Sequence, residues 1–184
     1  MKTLSYCRSE AELQALLKRS DKVYLSQLVA FWHGVVRALS DGQFPVLLSI
    51  ALYGEARGER EEGQRAVFEV IANRAVRDTD GLIDNVLLCP LQFSCFNPGD
   101  ISLQSAMLVN EDTVKEYTSR AYDFVHEWNS GRDYRVVNGA TMYCTLNAAS
   151  EQFTRYLLGK PGAWNFSNMR RVAVVGKHVF FEEV

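Results

Sequence analysis

The sequence predicts an α+β fold, mainly helical with a small late β-hairpin or sheet. Apolar residues recur at three- and four-residue steps in most segments up to Trp128, the spacing of amphipathic helices. The tail changes character: ATMYCTL at 140–146, then RVAVV and HVFFE on either side of Gly176-Lys177, have strand composition around a two-residue turn. Helices first and strands later define the class.

Taken in order, Ser9 and Glu12 form an S-x-x-E capping box ahead of Leu13, Leu16 and Leu17, which starts a short helix. Residues 23–39 carry apolar side chains at 25, 28, 29, 32, 35, 36 and 39, predicting a second helix capped by Asp21 and ended by Asp41-Gly42. Pro45 suits the first turn of a third helix bearing Val46, Leu47, Ile50, Ala51 and Leu52. A fourth spans 61–77, with Val67, Val70, Ile71 and Arg74 on one face, until Asp80-Gly81 breaks it. Residues 82–88 make at least a helical turn that Pro90 stops, 91–96 read as a short extended piece, and Asn97-Pro98-Gly99-Asp100 is a turn. A long helix over 112–129 presents Val114, Tyr117, Ala121, Phe124, Val125 and Trp128 on one face, with Gly131 just past its end.

No repeat or Pro/Gly-rich linker divides the 184 residues, so a single catalytic domain over 44–184 is expected. Residues 1–43 form a helical extension packed on or appended to that core. The composition, 47% apolar and 23% charged, excludes a disordered or low-complexity chain. A net charge of −2 argues against a general nucleic-acid binder. The charge is unevenly spread: 78–116 holds seven acids and one base, whereas 152–181 holds five bases and no acid. That basic stretch is either a solvated edge or a face for an anionic partner. Cysteines 7, 89, 95 and 144 form no CxxC and match no zinc spacing, so buried reduced thiols are expected, with no metal and no cofactor. The start of the chain becomes charged before an apolar stretch develops, unlike a signal peptide, and 23–39 is too short and too polar to span a bilayer.

The chemistry concentrates in LYGEARGEREEGQ, residues 52–64. Glu55 leaves an apolar helix, and a carboxyl group partly withdrawn from water suits a proton donor. Gly54 and Gly58 let a polymeric substrate approach the backbone. Together these features fit a general acid for a glycosidic oxygen, although Glu-x-x-x-Glu beside Arg is also the pattern of a surface ion-pair cluster.

The run YGEARGEREEGQRAVFEVIANR, followed by LLCPLQFSCFN, resembles the cell-wall hydrolase family typified by the SleB and CwlJ spore-cortex-lytic enzymes, which also occurs among bacteriophage endolysins. Ala140-Thr141-Met142-Tyr143 and Gly176-Lys177-His178-Val179-Phe180 resemble its late boxes, so the likeness covers roughly 46–181. The resemblance implies a lysozyme-like fold and cleavage of the β-1,4 bond between N-acetylmuramic acid and N-acetylglucosamine in peptidoglycan glycan strands. It also implies Glu55 as the catalytic acid, and several members are lytic transglycosylases. Gln92, Phe93 and Ser94 match the QFSC box and are candidates to line the sugar cleft; Phe93 suits the core equally well. Thr141 and Tyr143 share a strand face, and Trp164 in its Pro-Gly-Ala-Trp-Asn loop is the best of the three tryptophans for stacking on sugar. Trp32 and Trp128 belong to the core, and His178 reads as a hydrogen-bonded structural histidine. Glu59 is a supporting residue, an ion pair or cap with Arg57 or a backbone N–H, and also the nearest second carboxylate. Cys144 and Thr145 depart from the family pattern, with Asn147 as the nearby substitute. A single domain of this kind is expected to act as a monomer. Without an export signal, the expected setting is an endolysin held in the host cytoplasm until a holin releases it to the wall. A spore germination enzyme, a hydrolytic muramidase and a non-enzymatic wall-binding module are the alternatives.

Overall fold

The computed structural model describes residues 2–37, 44–90, 92–132 and 135–184. The helices are α1 (Glu10–Arg19), α2 (Ser26–Arg37), α3 (Val46–Ala56), α4 (Glu61–Asp78), α5 (Ile83–Leu87), α6 (Ile101–Met107), α7 (Glu111–Asn129) and α8 (Leu146–Leu157). The strands are β1 (Met142–Thr145), β2 (Met169–Val175) and β3 (His178–Glu183). This is the expected α+β arrangement, mainly helical with the sheet late in the chain.

Residues 46–52 are all buried, so α3 is apolar all round and sits among α2, α4, α5, α6 and α7. Its part-exposed residues, Tyr53, Gly54 and Glu55, fall in the last turn. The sheet has order β1-β3-β2 with both pairs antiparallel. β3 is the central strand, and residues 178–181 are buried. Gly176, at φ +56, makes the tight turn of the β2–β3 hairpin.

Most local signals act as expected. Ser9 accepts the Glu12 N–H while the Glu12 side chain accepts the Ser9 N–H, the reciprocal capping box. Asp100 N donates to Asn97 O, with Gly99 at φ +83, closing the turn. Gly131 follows α7 at φ +72.

Other expectations are corrected. Asp21 is not a helix cap; it lies at φ +54, and a 3-10 turn over Val23–Leu25 precedes α2. Pro45 stands one residue ahead of the first helical position. The expected helix end at Asp41-Gly42 falls outside the described residues. Of the expected extended piece, residue 91 lies outside the described residues; Phe93 is extended (φ −130, ψ 120), whereas Ser94–Phe96 is a 3-10 turn closed by Phe96 N–H to Phe93 O and Asn97 N–H to Ser94 O. Two helices escaped the sequence reading. α6 begins at an Asp100 cap that accepts Ser102 N–H, and α8 begins at Thr145, which accepts Ala148 N–H. The four cysteines are free thiols, but only Cys95 is fully buried and Cys89 is exposed. Among the described residues no helix is long and apolar enough to cross a membrane.

The N-terminal segment is stitched to the rest at several points. Leu13, Leu17, Leu25, Leu28, Val29 and Trp32 belong to the same buried apolar cluster as α3 and α7. Ser5 bridges to Leu82, the Leu4 backbone exchanges hydrogen bonds with the Asn129 amide, and Trp32 Nε1 donates to Ala106 O (3.0 Å). Tyr24 Oη (2.6 Å) and Lys22 Nζ (3.2 Å) both donate to the carbonyl of Phe96. Deleting residues 1–43 is expected to abolish cooperative thermal unfolding; a truncated chain that still melts cooperatively would make them an appendage.

Asp84 belongs to this junction, accepting Cys7 N–H on Oδ2 (2.5 Å). Burial pushes its carboxyl up to about 6, against the lowering effect of that hydrogen bond. A raised acid binds more protons folded than unfolded, so its stabilising contribution is present at low pH and lost as pH rises through about 4 to about 6. Asp84→Asn, which keeps an acceptor, is expected to flatten the urea-stability profile across that window, by roughly 3 kcal/mol at most.

Candidate active site

Glu55 lies in the last turn of α3, one residue before its end, where the helix meets the Ser94–Phe96 turn. Gly54 permits that meeting. A Cβ there would stand 2.4 Å from Cys95 Cβ and 3.0 Å from its Sγ, closer than atoms can pack. The contact delivers two donors to one carboxylate oxygen: Cys95 N–H (3.0 Å) and Ser94 Oγ (3.2 Å) both reach Glu55 Oε1. From the opposite side, Tyr143 on β1 donates its phenol to Glu55 Oε2 (3.1 Å). Both carboxylate oxygens are therefore held.

Tyr143 is fixed in turn by its ring, stacked on Phe180 at 5.8 Å and edge-on to His178 at 5.5 Å. Desolvation first, then the Glu55 charge, drives its pKa well above the usual tyrosine value, so it remains a donor. Burial and the same neighbour push up the Cys95 thiol, which stays protonated behind the site.

An open cleft of about 560 Å³ runs past Glu55, lined also by Gln92, Ser94, Asn97, Thr141, Tyr143 and Trp164. Arg74, Arg77, His178 and Glu183 complete its polar wall. Of the residues singled out from sequence, Gln92, Ser94, Thr141, Tyr143 and Trp164 thus come together around Glu55. Thr141 borders the cleft, but its Oγ1 is buried and, among the described residues, has no hydrogen-bond partner. Met142, Cys144 and Thr145 line the cleft too, so strand alternation does not sort β1 into cleft-facing and hidden residues. Asn147 is exposed on α8 and does not line the cleft.

Phe93 is 2% exposed and does not line the cleft; it packs beneath the Arg74 guanidinium, 5.5 Å from its ring centre. Its place is in the core, and the sugar-wall reading is corrected. Glu59 and Arg57 do not pair. Arg57 lies over the Tyr53 ring at 5.3 Å, whereas Glu59 is nearly buried with Oε1 3.4 Å from His178 Nδ1. Room for Glu59 comes from the hairpin turn, since a Cβ on Gly176 would fall 1.9 Å from Glu59 Oε2. Trp32 and Trp128 are core residues, as expected. Sequence reasoning assigned no site role to Arg74 or Asn97, and took His178 as structural only. The Asn73-Arg74 pair ending the apolar face of α4 was the available signal for the first. Among the described residues no three His, Cys, Asp or Glu side chains cluster as a metal site.

With this geometry in view, the likeness to known proteins falls into place. The family model described as Cell Wall Hydrolase matches residues 58–181, more than half of the chain, and the chain belongs to that family. It is 29% identical over 137 residues to a spore cortex-lytic enzyme of Bacillus subtilis (strain 168), a match covering 74% of this chain and 36% of that protein. The chain therefore spans about a third of that relative's length. The catalytic domain of the germination-specific lytic transglycosylase SleB from Bacillus anthracis superposes with a TM-score of 0.46 at 20% identity, over 73% of this chain and 89% of that one.

Gly54→Ala is expected to force the 94–96 turn away from α3 and cost about 1–3 kcal/mol, as overpacking does, read from urea unfolding. Adding Cys95→Gly should recover part of that loss, since the double variant removes the clashing Cβ.

Proposed function

We propose that this chain is a peptidoglycan-cleaving muramidase that cuts the MurNAc-GlcNAc β-1,4 bond as a lytic transglycosylase. The observation that carries the reading is Glu55: a carboxyl group fixed at both oxygens on the wall of an open cleft. In the proposed reaction the Glu55 carboxyl protonates the glycosidic oxygen as the C1–O bond breaks. Its carboxylate then takes the proton of the muramyl C6 hydroxyl as that oxygen bonds to C1. No water is consumed, and the product ends in a 1,6-anhydro sugar. Gln92 and Ser94 offer hydrogen bonds to sugar hydroxyl and acetamido groups, Thr141 borders the same cleft, and Trp164 offers an aromatic face.

Hydrolytic muramidases commonly use a second carboxylate as nucleophile or as base for water. Here, among the described residues, the other carboxylate lining the cleft, Glu183, is paired with Arg77 (3.1 Å), and Glu59 is turned towards His178. This favours the internal nucleophile over water, with the hydrolytic muramidase as the runner-up. Membership of the cell wall hydrolase family supports peptidoglycan as substrate, and a lysozyme-like reading of the helical core with its small sheet belongs to the same proposal. We extend it to an endolysin acting as a monomer after holin release, which lysis of cells co-expressing a holin, but not of cells making this chain alone, would support.

Digestion of purified peptidoglycan with mass spectrometry of the fragments decides the chemistry. Anhydro-muramyl ends are expected; reducing ends would identify a hydrolase, and no fragments would leave a wall-binding module. Glu55→Gln is expected to lower turnover by about 10²–10⁴-fold, the range for a lost general acid, while Glu59→Gln keeps a measurable rate. Equal loss in both would overturn the one-carboxylate scheme.

A further inference from the structure

We propose that Arg74 is a positioning residue that sets the geometry of the Glu55 carboxyl by bracing together the two segments that donate to it. The proposal rests on the reading of Glu55 as the acid–base group. Those segments are remote in sequence, the turn bearing Ser94 and Cys95 and the strand bearing Tyr143. Arg74 reaches both. Its Nε donates to the carbonyl of Thr141 (2.5 Å), two residues before Tyr143, and its Nη1 donates to Gln92 Oε1 (2.5 Å), two residues before Ser94. The guanidinium also covers Phe93, between Gln92 and Ser94. One planar group thus ties the approach to each donor.

The cation is committed to this task. Among the described residues no carboxylate lies within ion-pair distance of Arg74, whereas Arg77, one turn on, pairs with Asp78 (2.6 Å) and Glu183 (3.1 Å). Arg74 directs its charge at two neutral oxygens, and charge-assisted hydrogen bonds are the stronger kind. The fixed fork of a guanidinium can span two acceptors in one plane; a lysine ammonium offers a single point.

α4 supplies the rigid base. Asn73 Nδ2 donates to Ala140 O (2.8 Å), and one turn earlier Glu69 accepts the N–H groups of Val136 and Val137 (2.7 Å each). Glu69, Asn73 and Arg74 therefore hold the chain leading into β1 along one helix face, and Arg74 extends that hold across to Gln92.

The test compares Arg74→Lys and Gln92→Ala with the unchanged chain, using soluble glycan strands for kinetics and amide hydrogen exchange for geometry. Arg74→Lys is expected to lower kcat by about 10–100-fold, the scale of a misplacement near 1 Å, with KM within about threefold. Its pH–rate profile should shift, and Gln92→Ala should lose kcat in the same direction by less. Combining Arg74→Lys with Tyr143→Phe should cost less than the two separate losses together. Exchange at the Cys95 amide should quicken in Arg74→Lys and not in Arg170→Lys, a surface control. An unchanged kcat, a rise in KM alone, or an unaltered Cys95 amide in a less stable protein would overturn the proposal. If the unchanged chain cleaves nothing, the reading of Glu55 fails, and the Cys95 exchange still decides whether Arg74 braces the site.

Discussion

The Glu55 carboxyl is bonded from two directions at once, and much of the structure follows from satisfying that geometry. Oε1 needs Cys95 N–H and Ser94 Oγ; Oε2 needs the Tyr143 phenol. These donors sit about 40 and 90 positions along the chain, as their numbering shows. The end of α3, a 3-10 turn and the edge strand of a late sheet must therefore converge within hydrogen-bond distance. Such donors lose their effect on direction steeply as angle and distance degrade. The apolar packing of α3 against five other helices makes that convergence stiff, because close-packed interiors pass displacement on rather than absorb it.

Two close approaches show how little slack there is. α3 touches the 94–96 turn through Gly54, and Glu59 fills the space above Gly176 at the tip of the β2–β3 hairpin. The first contact places the acid; the second anchors His178 beside Tyr143. The glycines of the LYGEARGE segment are thus not uniformly openings for substrate. Gly54 serves the interior, while a Cβ on Gly58 would meet nothing.

What could be read from sequence follows the range of the forces involved. The Ser9–Glu12 box, the Asn97–Asp100 turn and the hairpin at Gly176-Lys177 are closed by neighbours, so their residues announce them. Glu55 was legible because a short box concentrates its chemistry. The 94–96 turn was misread as extended because its Cys95 amide and Phe96 carbonyl are held by Glu55, Tyr24 and Lys22, none of them local, while its residue types carry no strong turn signal. α8 was hidden because strand-like 140–146 runs straight into its cap, and none of its residues is buried enough to impose a clear core face. Glu59 misled for a related reason: Arg57 is near in sequence, but His178 is near in space.

The Phe96 carbonyl, held by Tyr24 and Lys22, has a practical consequence for anyone moving this protein's chemistry into another chain. The stretch matching the family begins at residue 58, so a graft cut there would leave behind both the acid and the far anchor of the turn that grips it. The transferable unit is defined by hydrogen bonds rather than by the family boundary. Its upstream limit lies before Lys22.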